Sequence, residues 1–157
     1  MTEEGLSSYS KREIRQLAKV LGAMGDDAVA EARTTSSSLA NYALDKIKQA
    51  AYGRTVSAGA VQRVADGAKV SKTSKSGQIS IGFAGQRFSG GATTQMLWGG
   101  LEFGTKNPRL RQFPTWSGRY GAGSRGWFIY PTLRDIQPDI VKTWTESMSK
   151  VIKGWAN

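Results

Sequence analysis

The sequence predicts an α+β fold: a long N-terminal helical region, a small, mostly antiparallel sheet of about four strands with long loops, and a C-terminal amphipathic helix packed on that sheet. Three observations predict it. Apolar residues recur at helical spacing as far as residue 52, switch to alternation after Ala68, and return to helical spacing from Leu133. A chain of 157 residues has the length of a single domain. Within it the pattern divides into helices over 10–52, sheet and loops over 68–131, and a helix over 132–154.

Ser10-Lys11-Arg12-Glu13 is a capping box, in which the serine side chain accepts from the Glu13 amide and Glu13 reaches back to the serine amide. Ile14, Leu17, Ala18 and Leu21 then line one helical face, until Gly22 and Gly25 interrupt it. Asp26 and Asp27 place carboxylates at the positive end of a second helix, whose apolar stripe runs from Ala40 to Ala51 and stops at Gly53. Drawn as one helix, Asp27 to Tyr52 spans ~39 Å. That length exceeds a domain of this size, so the expectation is that a neighbouring subunit supports it. A short helix is expected within Ser57 to Asp66. Ile79, Ile81 and Phe83 alternate with Gln78, Ser80 and Gly82, and Ser76-Gly77 reads as the turn that pairs this strand with Lys69 to Ser74. Gln95 to Phe103 is expected as a third strand and Trp127 to Tyr130 as a fourth, ending at Pro131. Leu133, Ile136, Ile140, Trp144, Met148, Val151 and Trp155 mark the last helix. Pro138 places a turn before it and its regular part from about Asp139 to Lys153.

Charge is the strongest functional signal. The chain has 22 Lys and Arg against 12 Asp and Glu, a net of +10. Between Gly67 and Arg134 lie ten basic residues and one acid, Glu102, so this segment carries +9, while the two flanks are nearly balanced. A localised field of one sign calls for a partner of the other, and nucleic-acid phosphate is the first candidate. There is no cysteine and no histidine, which excludes disulfides, thiolate chemistry and imidazole as base or metal ligand. No paired carboxylates occur in the middle segment, and Asp26-Asp27 is a helix-capping pair rather than a magnesium site. The expectation is therefore a protein with no catalysis, no metal and no cofactor. Met1 to Gly5 lacks the apolar core of a secretory signal, and no run approaches the ~18 apolar residues of a membrane span. A soluble product made in a cytoplasm, without membrane contact, is expected.

Two long loops remain. Gly85 to Thr94 is rich in glycine and serine and reads as mobile. Gly104 to Gly126 interleaves Lys106, Arg109, Arg111, Arg119 and Arg125 with Phe113, Trp116 and Tyr120. A loop this long is usually functional. Its aromatics suit docking on protein, stacking on single-stranded bases, or folding back over the chain's own sheet. Gly121-Ala122-Gly123-Ser124-Arg125-Gly126 matches a dinucleotide-binding glycine pattern, but an arginine-rich loop precedes it where that chemistry needs a strand, so the match is set aside. No pattern for sequence-specific base reading accompanies the basic segment.

Leu101-Glu102-Phe103-Gly104-Thr105, a long loop, and then Phe128-Ile129-Tyr130-Pro131-Thr132-Leu133 leading into a C-terminal helix together resemble the tailed-bacteriophage tail-completion or head–tail joining family of neck proteins. Ser76-Gly77-Gln78-Ile79-Ser80-Ile81 is similar to a strand of that family, without its usual preceding proline, and Val56 to Lys75 departs from its pattern. The motifs cover about the last sixty residues. The resemblance implies a structural virion protein that forms a ring, typically a hexamer, around the channel for genomic DNA and contacts other phage neck and tail proteins. It implies that Lys69, Lys72, Lys75, Arg87, Lys106, Arg109, Arg111, Arg119 and Arg125 face the DNA channel, and that Phe113, Trp116 and Tyr120 contact adjacent subunits or rings. A stand-alone basic, sequence-neutral nucleic-acid-binding protein is the alternative.

Overall fold

The computed structural model describes residues 11–54, 58–70, 81–83, 85, 87–111, 113–114 and 125–156. Helices dominate them: α1 (Lys11–Met24), α2 (Asp26–Tyr52), α3 (Ala58–Asp66), α4 (Thr94–Phe103) and α5 (Tyr130–Ala156). Two three-residue strands, β1 (Ala68–Val70) and β2 (Ile81–Phe83), pair antiparallel. The expected sheet of about four strands is thus overturned, and the described residues are 73% helical. The Ser10 cap and the Ser76-Gly77 turn lie outside the described residues.

Both missing strands have a physical explanation. Leu97 and Leu101, four apart, satisfy a helical face as well as an alternating one, so their spacing alone does not decide between the two. In the structure the Phe113 ring seats on Gly100 from outside the segment, and the Thr93 side chain accepts from the Met96 amide at 3.3 Å and caps the resulting α4. Trp127 to Ile129 is an irregular lead-in to α5, which begins at Tyr130, because the amides of Phe128, Ile129 and Tyr130 bond a side chain instead of a neighbouring strand. Pro131 sits in the first turn of α5, where the missing N–H costs little. Pro138, expected to delay the helix, lies inside it on the exposed side, and α5 continues through.

The break between α1 and α2 follows the expectation: Gly25 takes φ +112°, and Asp26 and Asp27 open α2. The chain forms two compact units. In one, Leu17, Leu21 and Met24 of α1 pack with Ala28, Ala32 and Leu39 of α2 and with Ile140, Trp144, Met148 and Val151 of α5. Thr35 and Ser147 share a 2.7 Å hydrogen bond between their hydroxyls there. In the other, Ile47 and Ala51 of α2, Val61, Val64 and Ala65 of α3, Leu101 of α4 and the segment Trp127-Phe128-Ile129 form the core. Helix α2 therefore contributes residues to both cores.

Within the Gly85 to Thr94 segment, read from the sequence as mobile, residues 87–93 form a turn. Phe88 N–H donates to Ala92 O at 2.8 Å, Gly91 turns at φ +84°, and Arg87 bridges Thr93. The Arg63 guanidinium lies 4.4 Å over the Phe88 ring.

Candidate functional site

The described part of the second unit is organised around one carboxylate. Glu102, near the C-terminal end of α4, is fully buried. Its Oε2 accepts from the amides of Phe128 at 2.9 Å and Ile129 at 2.8 Å, and its Oε1 from the amide of Tyr130 at 2.7 Å. These are the unpaired donors at the start of α5, so the anion caps the helix at its positive end from 26 to 28 residues away. Thr132 Oγ1 donates back to Phe128 O at 2.7 Å and tightens the first turn. The approach depends on Gly126, which has φ +83°; a Cβ there would collide with Oε1 of Glu102. With both oxygens committed to backbone donors, Glu102 acts as an anchor.

The chain between α4 and that anchor is shaped at its beginning. Gly104 leaves α4 at φ +74° and donates to Gly100 O at 2.8 Å. Thr105 N–H then bonds Pro114 O at 2.9 Å, closing residues 105–114 at the neck. Inside the closure, Asn107 accepts from the Arg109 amide at 3.0 Å and Leu110 O accepts from Phe113 N–H at 3.1 Å. The Phe113 ring lies on Gly100, where a Cβ would come within 2.6 Å of it. That close seat explains why a helix carries glycine at this position. Lys106, Arg109, Leu110 and Arg111 project at the exposed tip.

Lys69, Arg87, Lys106, Arg109, Arg111 and Arg125, expected on a channel wall, are all exposed. Lys72, Lys75 and Arg119 lie outside the described residues, as do Trp116 and Tyr120. Phe113, expected at an interface, is half-buried against its own helix, so this stretch of the loop folds back on the chain. Gly121 to Ser124 of the glycine pattern also lie outside; Gly126, at its end, serves the Glu102 contact.

No family model, curated protein or solved structure matches the chain.

Three features escaped the sequence reading. Phe83 stacks on Trp98 with centroids 5.3 Å apart, and Phe103 joins Trp98 at 6.4 Å and Tyr130 at 5.5 Å, a half-buried row of rings that no periodicity announces. Met96 stands 72% exposed on α4, whereas a strand reading gave it no particular place. Glu102 did leave a signal: it is the lone acid in a stretch with ten bases, and an isolated charge of the wrong sign points to a fixed local partner. Among the described residues, no group of three acidic side chains is placed to hold a metal, and no helix is long and apolar enough to cross a membrane.

Proposed function

We propose that this chain is a structural virion protein of a tailed bacteriophage, a subunit that forms a ring at the neck and joins head to tail around the DNA channel. The observation that carries the reading is the Glu102 contact. The glutamate-phenylalanine-glycine-threonine motif and the aromatic-proline motif, separate in the sequence, are the two halves of one buried junction. That the two motifs meet in one contact supports reading them together. Support also comes from the exposed cations at Lys69, Arg87, Lys106, Arg109, Arg111 and Arg125.

In this reading the protein is made in the host cytoplasm and ends in the virion, where it binds copies of itself and other neck and tail proteins. It performs no catalysis. Lysine and arginine contact the phosphates of passing DNA without reading bases, so DNA is held in register with the channel yet free to slide. Charges beyond ~8 Å from the DNA are screened, so only those on the inner wall act. Native mass spectrometry of the purified protein tests the reading: a closed ring, alone or with neck partners, is expected. A chain that stays monomeric with every such partner and binds short single strands tightly would overturn it in favour of the stand-alone nucleic-acid-binding protein.

A further inference from the structure

The apolar stripe of α5 runs past the core it serves. Ile140, Trp144, Met148 and Val151 pack in the first unit, but Ile152 is 50% exposed and Trp155, the next residue of the stripe, is 62% exposed. Lys150 and Lys153 are exposed beside them, so the last two turns of the helix present two large apolar side chains and two cations. Tryptophan in such a place is the residue type that most often anchors a protein interface. The same unit carries a groove of the opposite charge. It lies between α2 and α5, has a volume of about 700 Å³, and is lined by Glu31, Asp139 and Glu146 against a single cation, Lys142. Leu39 and Tyr42 give it an apolar patch, and threonine and serine hydroxyls complete it. Three of the chain's 12 acids thus gather at one groove of a protein whose net charge is +10.

We propose that this groove receives the end of α5, Lys150 to Ala156, from a second copy of the chain; the inference rests on the reading that copies bind one another and names the contact between them. Charge selects the occupant. Three carboxylates against one lysine leave the groove at −2, and Lys150 and Lys153 bring +2. Nucleic acid is repelled from the same place. Space is sufficient, since clefts of about 300–1,000 Å³ take whole small ligands, and an indole with an isoleucine side chain is no larger. Covering Trp155 supplies most of the affinity, while the exposed ion pairs set orientation. The tail cannot serve its own groove. Asp139 to Ser147 of α5 form one wall, and the same unbroken helix carries Trp155 eight residues, about 12 Å, beyond it. Every copy holds both a tail and a groove, so a contact passed from copy to copy about an axis closes a ring.

Sedimentation velocity on the full chain over a range of concentrations tests the contact. The native chain is expected to self-associate, and Trp155→Ser (the tail variant) and Glu31→Lys with Glu146→Lys (the groove variant) each to do so at least tenfold more weakly. Lys150→Glu with Lys153→Glu is a second tail variant that keeps the indole and is expected to weaken association most at low salt. All the altered side chains are exposed, and circular dichroism verifies that the helices persist. An equimolar mixture of tail and groove variants retains one intact tail and one intact groove, so it should form a dimer and nothing larger. A native chain that stays monomeric alone overturns this contact, while the ring reading is still decided by native mass spectrometry with neck partners. Folded tail variants that assemble like the native chain place the copy-to-copy contact elsewhere, which overturns the inference and leaves the ring reading standing. Weakening by the groove variant alone, or a mixture that stays monomeric, shows that the tail is not the occupant.

Discussion

Glu102 shows how much of this fold rests on single atoms. Three charge-assisted hydrogen bonds converge on a buried carboxylate, and losing its charge leaves amides of a helix start facing an amide group instead. Glu102→Gln retains the shape but replaces one acceptor oxygen with a donor, so we expect a loss of about 2–4 kcal/mol in urea unfolding. Gly126→Ala should cost a similar amount through collision with that carboxylate and a positive φ. An unfolding midpoint unchanged in both variants would remove Glu102 from its role as anchor. Tyr52 offers a second check. Its hydroxyl donates to Asp66, and this bond, ahead of burial and the neighbouring charge, raises the phenol above its ordinary value of 10.0. Because the folded-state value is the higher one, the hydrogen bond stabilises the fold fully below the unfolded tyrosine's range, and that stabilisation disappears as pH rises through the raised value. Absorbance titration should show one tyrosine ionising late, and Asp66→Asn should return it to the ordinary range.

At the scale of elements, α5 is the informative case. Its apolar residues Ile136, Ile140, Trp144 and Met148 keep helical spacing on both sides of Pro138, and burial of that face holds the helix together where propensity alone breaks it. Proline has no N–H to offer the carbonyl of Arg134, four residues back. Pro138→Ala should therefore raise stability, by about 1–3 kcal/mol, seen as a higher thermal midpoint. A lower midpoint would mean that the proline stabilises a bend the packing requires. Helix α4 teaches the complementary point. Gly99 and Gly100 argue against a helix by propensity, but Gly100 is where Phe113 sits, so the close approach of a ring outweighs the entropic penalty.

At the scale of the molecule, the positive field is a surface property. The described cations of the middle segment project outward while the core beneath them is apolar and aromatic. Replacing Lys106, Arg109 and Arg111 together by alanine should leave thermal stability within about 0.5 kcal/mol, because exposed side chains at a loop tip contribute little to folding. The same variant should bind duplex DNA more weakly at low salt, with the logarithmic salt slope reduced by roughly 0.9 for each phosphate that is no longer neutralised. Filter binding at several salt concentrations measures both. An unchanged slope would place these three cations away from the DNA.

The sequence by itself determined what depends on neighbours along the chain. The break at Gly25, the start of α2 at Asp26, its stop at Gly53, the short α3 and the apolar face of α5 all follow from residues within a turn or two of each other. It determined the charge distribution as well, since that is a count. Only the tertiary structure decided between helix and strand for Gln95 to Phe103, and only there did Trp127 to Tyr130 become the capped start of a helix. Both choices turn on contacts across long separations: the seat of Phe113 on Gly100, and a carboxylate reaching amides 26 to 28 residues onward. Local spacing carries no record of such a partner, because a buried hydrogen bond depends on where two segments meet and not on what either contains alone.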